Sequence, residues 1–221
     1  MVTESGNGRP AATLPRRRGS LYQRLFARAI ASESSVNQGP YEDYRRALLA
    51  DLHGDVLEIG PGTGPNLPYY SRDVRWIGLE PNPAMFPYVE REAARLGLTI
   101  DLREGAAEDL GVPDESLDAV VSTRVLCSVG DPHRALQEIR RALKPGGRFV
   151  FIEHVAAPRE SALRRFQQII KPIWRTVGDG CHPDRETWVA IQHAGFSHVH
   201  LEHFRVDFPI VGPHIAGVAV K

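Results

Sequence analysis

The segment DVLEIGPGTGPNLPYY, residues 55–70, begins with a short apolar strand and continues into a turn that contains Gly60, Gly62 and Gly64. Glycine has no Cβ, so a turn of this kind lets a cofactor lie directly against the backbone. The segment therefore predicts an α/β fold with a cofactor site at the end of its first strand.

Strand patterns and helix patterns alternate after this turn. The strand candidates are 56–59, 75–80, 98–103, 117–122, 148–155, 198–206 and 214–221, and the helix candidates are 65–71, 83–97, 132–143, 161–177 and 186–194. Short apolar strands with long connections are typical of a doubly wound, mostly parallel sheet. The last two strands have no helix between them, which predicts antiparallel pairing at the sheet edge. LKPGG, residues 143–147, is expected to end a helix with Lys144 in its last turn,.

The composition predicts one ordinary domain. Of the 221 residues, 42% are hydrophobic, which is enough for a sizeable core,. The polar stretch 1–18 is expected to form a flexible tail, followed by a single domain over 19–221. Within this domain we expect a helical cap over 19–54, made of amphipathic helices at 20–31 and 40–52, and a core over 55–221 with an insertion at about 156–185,.

Charge and cysteine content exclude several classes of protein. The formal net charge is zero at pH 7, which gives no support to a nucleic-acid partner,. Cys127 and Cys181 lie far apart in the sequence and fit a reducing compartment,. No apolar run approaches the roughly 18 residues that span a bilayer, and the N-terminus lacks the apolar core of a secretory signal. The sequence thus predicts a cytoplasmic protein without stable membrane insertion.

The glycine turn departs from the dinucleotide-binding fingerprint. That fingerprint is G-x-G-x-x-G, whereas here the third glycine comes one residue earlier,. Pro61 removes an N–H that would bind pyrophosphate, and Glu58 would place a carboxylate beside the phosphates. A nicotinamide dehydrogenase is therefore disfavoured.

A cofactor with a cationic end and a free ribose fits the turn better. Glu58 can then take part in a hydrogen-bond network to the turn or to an ammonium group. Glu80, at the end of the next strand, is placed to bond both ribose hydroxyls. S-adenosylmethionine meets these demands, since it carries a sulfonium, an ammonium and a ribose but no phosphate.

Four motifs in this order resemble class I S-adenosylmethionine-dependent methyltransferases. They are E-x-G-x-G-x-G at 58–64, the acid Glu80, GAAEDL at 105–110 and LKPGG at 143–147. The resemblance covers about 55–221 and implies a seven-stranded sheet with an antiparallel last strand. It also implies S-adenosylmethionine as cofactor, S-adenosylhomocysteine as product, and a set of cofactor-binding residues. That set is Gly60, Gly62 and Gly64 at the methionine moiety, Glu80 at the ribose, Ala107 and Glu108 at the adenine, Ser122 and Thr123 at the methionine tail, and Glu58, Asn66 and Pro81 nearby.

A sharper resemblance lies in the second half of the chain. The segments 124–155, GDGCHPDRETW at 178–188 and GPHIAGVAVK at 212–221 are similar to thiol S-methyltransferases, microsomal enzymes of animals with bacterial relatives. This resemblance implies a small alkyl thiol as acceptor. The chain departs from it by lacking an apolar N-terminal anchor and by carrying Glu80 where many members have aspartate.

Two alternatives to thiol methylation remain open at this point. The first is methylation of oxygen, nitrogen or carbon in a quinone-like or natural-product acceptor. The second is a protein that binds the cofactor without catalysis. In every case we expect a small-molecule ligand and a monomer or homodimer.

Candidate catalytic groups follow from position in the expected sheet. His154 stands at the carboxyl end of the fifth strand, where open α/β sheets bind ligands, and is a candidate base; the alternative is a histidine satisfied by hydrogen bonds near the sheet edge. Asp179 and His182 lie in a glycine-rich loop that can cover the site, the alternative being turn chemistry and solvation. Cys127 is interpreted as a small buried apolar residue, and Cys181 as either lining the acceptor pocket or packing.

A group of three histidines and a pair of tyrosines both have structural explanations. Along a strand, His198 and His200 share a face and His203 points the other way, so we interpret them as solvated and predict no metal site. Tyr41 and Tyr44 either form a lid over the cofactor or pack as part of an amphipathic helix, and packing is favoured.

Overall fold

The computed structural model describes residues 19–33 and 39–221, so the tail predicted over 1–18 lies outside the described residues. The helices are α1 (Leu21–Glu33), α2 (Gly39–Leu49), α3 (Phe86–Leu96), α4 (Pro132–Ala142), α5 (Ala162–Val177) and α6 (Thr187–Gln192). The strands are β1 (Gly54–Ile59), β2 (Val74–Glu80), β3 (Asp101–Glu104), β4 (Leu117–Thr123), β5 (Leu143–His154), β6 (His198–Arg205) and β7 (Pro213–Val220).

The seven strands form one sheet in the order β3-β2-β1-β4-β5-β7-β6. Strand β7 runs antiparallel to both of its neighbours, and the remaining strand pairs are parallel. The predicted fold class is therefore confirmed. The strand order reverses between β1 and β4, and such a switch point opens a crevice at the carboxyl ends of the strands.

Both faces of the sheet are covered by apolar side chains. In β1, Leu57 and Ile59 pack into the cluster that includes α4, whereas Val56 packs into the cluster that includes α3. This alternation follows from the period of two along a strand. Because β1 is buried on both faces, its residues form the almost continuous apolar run that made it recognisable in the sequence.

Two predicted elements of the first half of the sheet differ from the structure. The helix expected over 65–71 is wrong, since only Leu67–Tyr69 forms a turn of 3-10 helix. Pro68 within this segment has no N–H to continue an α-helix. Strand β3 begins at Asp101, later than the predicted 98, because Gly97 caps α3 with a φ of 66° and the Leu98 N–H still bonds to the Ala93 carbonyl,.

The LKPGG segment was expected to belong to the end of a helix, and this is also wrong in detail. Helix α4 ends at Ala142, and β5 already begins at Leu143. Lys144 lies in the strand and bonds with Nζ to both carboxylate oxygens of Asp118 at 2.8 Å. Of the two C-terminal strands, β6 is the edge and β7 lies inside the sheet.

The two N-terminal helices precede β1, as the sequence predicted. Ser20 caps α1 by accepting a hydrogen bond from the Gln23 N–H at 3.2 Å,. Within the described part of the chain, none of the helices combines the length and the apolarity that a bilayer span requires.

Candidate active site

A cavity of about 850 Å³ opens at the carboxyl ends of β1, β2, β4 and β5. Helices α1, α2 and α3, the end of α5 with the loop after it, and the segment between β6 and β7 also contribute to its wall. Predicted site residues that line it are Gly60, Gly62, Gly64, Glu80, Pro81, Thr123, His154 and Asp179. The crevice at the switch point is therefore large enough for a cofactor together with a small acceptor.

The glycine turn forms one end of this cavity. Gly60, Gly62 and Gly64 have φ values of 57°, 58° and 82°, a conformation that other residues rarely adopt,. A Cβ on Gly60 would come within 2.6 Å of the Val125 side chain. A Cβ on Gly62 would meet only the Gly60 carbonyl at 4.0 Å, so Gly62 presents bare backbone to the cavity.

Glu80 is positioned by the backbone around it. Its Oε2 accepts a hydrogen bond from the Gly62 N–H at 3.0 Å, and its Oε1 accepts one from the Asn82 N–H at 2.9 Å. Burial raises the pKa of this carboxyl to about 7, against the opposing effect of the two N–H donors,. A carboxylate has about four lone-pair positions, so two remain for hydroxyl groups in the cavity.

Glu58, just before the turn, is the centre of a buried hydrogen-bond network. It is 2% exposed and accepts hydrogen bonds from Asn66 Nδ2, the Tyr70 hydroxyl and Trp76 Nε1 at 2.8–3.0 Å. These partners lie in the segment that follows the turn and in β2. Asn66, also fully buried, extends this network to Thr123 Oγ1 and accepts from Arg45 Nε.

We expect Glu58→Gln to lower the free energy of unfolding by about 2 kcal/mol, because an amide nitrogen would face donors in a buried network. Urea unfolding measures this change. Glu160→Gln, at an exposed position, is the matched control and should change stability by less than about 0.5 kcal/mol,. Equal stability of the two variants would contradict a structural role for the Glu58 carboxylate.

Glu153 was missed as part of the site. This fully buried acid accepts hydrogen bonds from the Ser122 hydroxyl and from the Val125 and Leu126 N–H groups. It thereby positions the loop after β4, which carries Cys127. The Ser122 side chain is directed towards Glu153, so any influence of Ser122 on the cavity passes through this loop.

The residues expected at the adenine lie beside this loop. Glu108 Oε1 accepts hydrogen bonds from the Gly130 and Asp131 N–H groups at 2.9 and 3.2 Å, and Ala107 is 7% exposed within the core. Neither is part of the described cavity wall. Their assignment to the adenine stays a prediction.

Cys127, His154 and Cys181 meet at the other end of the cavity, although they come from three distant parts of the chain. His154 Nε2 lies 3.0 Å from Cys181 Sγ, and Trp174 Nε1 donates to the same sulfur at 3.1 Å. A hydrogen bond shared by the two thiols lowers the pKa of Cys181 and raises that of Cys127. Burial lowers the pKa of His154, but contacts with Cys127 outweigh burial and raise it.

The two loop residues predicted near the site have different surroundings. Asp179 lines the cavity with a φ of 50°, and its N–H donates to the Tyr22 hydroxyl at 3.1 Å. His182 is not part of the described wall, and its N–H donates to the Cys127 carbonyl. The pKa of His182 is lowered to about 4, chiefly by burial and next by the positive charge of Arg185. Asp179 therefore faces the cavity, whereas the backbone of His182 fixes the Cys127 loop.

The tyrosines of α2 mostly pack. The Tyr41 hydroxyl lies 2.5 Å from His214 Nε2, and the Tyr44 ring lies against Phe204 with centroids 4.4 Å apart. Tyr41 also lines the cavity. On β6, His198, His200 and His203 are exposed, as predicted.

Comparison with known proteins agrees with this geometry. A model of the methyltransferase domain matches residues 57–151. The thiol S-methyltransferase TMT1B of Rattus norvegicus is 40% identical over 209 residues, which cover 89% of this chain and 86% of that protein. This chain belongs to the thiol S-methyltransferase family. The human TMT1B enzyme is 42% identical, over 81% of this chain and 79% of its own length.

Solved structures agree on the fold of this methyltransferase. An S-adenosylmethionine-dependent methyltransferase from Thermotoga maritima superposes with a TM-score of 0.67 at 24% identity, covering 90% of this chain and 98% of that one. The [4+2]-cyclase SpnF superposes with a TM-score of 0.66 at 19% identity, covering 82% and 79%. At these identities the likeness concerns the fold alone.

Proposed function

We propose that this methyltransferase transfers the methyl group of S-adenosylmethionine to the sulfur of a small thiol. The observation that carries the proposal is one cavity that joins the glycine turn and Glu80 to the His154–Cys181 pair. Relatives named thiol S-methyltransferases, about 40% identical over most of the chain, support the acceptor. The two free cysteines support a reducing, cytoplasmic environment,.

We assign the cofactor-binding site to the glycine turn and Glu80. The methionine moiety lies over Gly60, Gly62 and Gly64, where no side chain interferes, and the ribose hydroxyls donate to the free lone pairs of Glu80. Thr123 and Pro81 complete this wall, and Ala107 and Glu108 flank the adenine. Glu58, Asn66 and Ser122 do not contact the cofactor but hold the turn and the β4 loop in place. A cofactor without phosphate can lie beside the Glu80 carboxylate without repulsion between like charges.

Methyl transfer from a sulfonium is an in-line displacement. The acceptor sulfur forms a bond to the methyl carbon while the sulfonium C–S bond breaks, and the electron pair stays on neutral S-adenosylhomocysteine. The leaving group therefore needs no acid, but the thiol must lose its proton. A thiol with a pKa of about 8.5 is only a few per cent ionised at pH 7. We assign His154 to promote this ionisation, since its imidazole faces the cavity beside Cys181,.

The surroundings of His154 suit an apolar thiol. Trp174, which contacts Cys181, also packs edge-on against Phe208 with ring centroids 6.3 Å apart. Val177, Val206 and Val211 line the same cavity. An apolar wall excludes water from the reacting sulfur and favours an alkyl group over a polar acceptor.

A direct test incubates the purified protein with S-adenosylmethionine and either a simple alkyl thiol or a phenol of similar size. Formation of S-adenosylhomocysteine is measured. We expect turnover with the thiol and at least about 100-fold less with the phenol, since an apolar pocket without a strong base does little to ionise a phenol of pKa about 10. No turnover with any thiol would overturn the proposed acceptor.

The Glu80 pKa predicts how cofactor affinity depends on pH. The pKa of Glu80 is raised from 4.5 to about 7, so the folded protein binds the extra proton and loses stability as pH rises through this window,. The ionised carboxylate is the form that accepts from the ribose. Between pH 6 and pH 8 its fraction rises from about one tenth to about nine tenths, so affinity for S-adenosylhomocysteine should rise about 10-fold.

Calorimetric titration at several pH values measures this effect. Glu80→Gln should bind S-adenosylhomocysteine more weakly at pH 8 and with no rise in affinity between pH 6 and pH 8. A wild-type profile as flat as that of the variant would mean that Glu80 does not hold the ribose.

A further inference from the structure

Three side chains with metal-ligating atoms converge at the acceptor end of the cavity. They are Cys127 after β4, His154 at the end of β5 and Cys181 after α5, and one ligand atom of each lies within 4.8 Å of the others. All three are more than nine-tenths buried and all line the cavity. The two sulfurs belong to the chain's only cysteines, and neither is in a disulfide.

The outer contacts of the cluster differ among its three members. His154 Nε2, the ring nitrogen 3.0 Å from Cys181 Sγ, is the atom placed to coordinate an ion beside the two sulfurs. His154 Nδ1, on the other side of the ring, is buried and has no hydrogen-bond partner among the described residues. The sulfurs, in contrast, already have outer contacts: Trp174 Nε1–H donates to Cys181, and the Ser128 hydroxyl lies 3.6 Å from Cys127 Sγ. Contacts of this kind hold thiolate ligands in metal sites.

We propose that Cys127, His154 and Cys181 bind a Zn²⁺ ion whose fourth coordination position faces the cavity. Two thiolates and one imidazole form a donor set that favours zinc, and catalytic zinc sites combine three protein ligands with one open position. Two thiolates also neutralise the ion in a buried place. Ligands around a tetrahedral zinc lie roughly 3.5 Å apart, so the contact between His154 and Cys181 opens by about 0.5 Å on binding.

The catalytic consequence rests on the proposed thiol methylation, whereas ion binding does not. The acceptor thiol occupies the open position and releases its proton to solvent, because a thiol that coordinates zinc is deprotonated. Its thiolate sulfur then forms the bond to the methyl carbon, and the sulfonium C–S bond breaks with its electron pair remaining on S-adenosylhomocysteine. The thioether product is neutral and leaves the ion. His154 thus promotes ionisation of the thiol as a ligand of the ion.

Zinc binding can be measured without turnover. The full chain is reduced, freed of metal with a chelator, incubated anaerobically with ZnCl₂, desalted and assayed for zinc. We expect about one zinc per chain, and loss of it in Cys127→Ser, Cys181→Ser and His154→Gln. The exposed double variant His198→Gln/His203→Gln is the matched control and should retain the ion. Circular dichroism and S-adenosylhomocysteine binding show that each variant is folded.

Co²⁺ as a substitute ion reports the ligands and the open position. Thiolate ligands give cobalt a charge-transfer band in the near ultraviolet. The chain has two cysteines, so weakening of this band in each of the two serine variants identifies Cys127 and Cys181 as the ligands. A simple alkyl thiol should change the visible cobalt bands, and a matched alcohol should not.

Defined outcomes overturn the proposal. The first is that the wild type retains no more zinc than a Cys127→Ser/Cys181→Ser double variant. The second is that protein isolated under reducing conditions contains a Cys127–Cys181 disulfide. Full thiol turnover by zinc-free protein would overturn the role of the ion but leave the proposed function intact. If the protein binds one equivalent of zinc but methylates no thiol, the proposed function is overturned and the zinc site is not.

Discussion

His154→Gln is expected to lower kcat/KM for a simple alkyl thiol by about 100-fold or more at pH 7, because glutamine does not promote ionisation of the acceptor. The dissociation constant of S-adenosylhomocysteine should stay the same, since His154 lies at the opposite end of the cavity from the glycine turn. The defect should shrink as pH rises towards 9.5, where a thiol of pKa about 8.5 is already ionised in solution. Steady-state kinetics from pH 6.5 to 9.5 measures all three quantities.

The matched control for this variant is His203→Gln, on the exposed face of the edge strand β6. It should keep the wild-type rate at every pH. A His154→Gln defect of constant size across the pH range would mean that the imidazole orients the acceptor and does not ionise it. A wild-type rate at pH 7 would remove His154 from the mechanism.

Gly62→Ala is expected to weaken binding of S-adenosylhomocysteine by about 100-fold, because a methyl group would occupy the place of the methionine moiety and displacements of about 1 Å are costly in such sites. Gly62 has a φ of 58° and open space at its Cβ position. The fold therefore accommodates the methyl group at a backbone cost of about 1 kcal/mol. Isothermal titration and urea unfolding separate the two effects.

Gly97→Ala is the matched control, because Gly97 has a φ of 66° at the end of α3 and, like Gly62, has open space at its Cβ position. The two variants should lose similar stability, and only Gly62→Ala should lose affinity. If both bind S-adenosylhomocysteine equally well, the methionine moiety does not lie over Gly62.

Much of the fold could be predicted from sequence because its signals are local. Strand β1 is buried on both faces and forms an almost continuous apolar run, interrupted by Glu58. Gly97 caps the end of α3, and the Asp131 side chain caps the start of α4 by accepting hydrogen bonds from the His133 and Arg134 N–H groups. Errors arose where local preference and tertiary pairing differ. LKPGG contains residues typical of a helix end, yet Lys144 is held in β5 by Asp118, a residue 26 positions earlier.

The cofactor end of the site was largely determined by the sequence. Gly60, Gly62 and Gly64 lie within five consecutive residues, and Glu80 follows one strand later. Neighbouring parallel strands bring such residues together whatever the rest of the chain does. The sequence did not show how Glu58 is used, because its partners Tyr70 and Trp76 are not part of the motif.

The acceptor end was decided by the tertiary structure. Cys127 and His154 are 27 positions apart, as are His154 and Cys181, and no local pattern links the three residues. They meet because β4 and β5 are adjacent parallel strands whose carboxyl ends carry the first two, and the loop after α5 brings the third. The motif predicted a cofactor without phosphate, whereas only the packing of these three segments brought two sulfurs and an imidazole together at the proposed acceptor site.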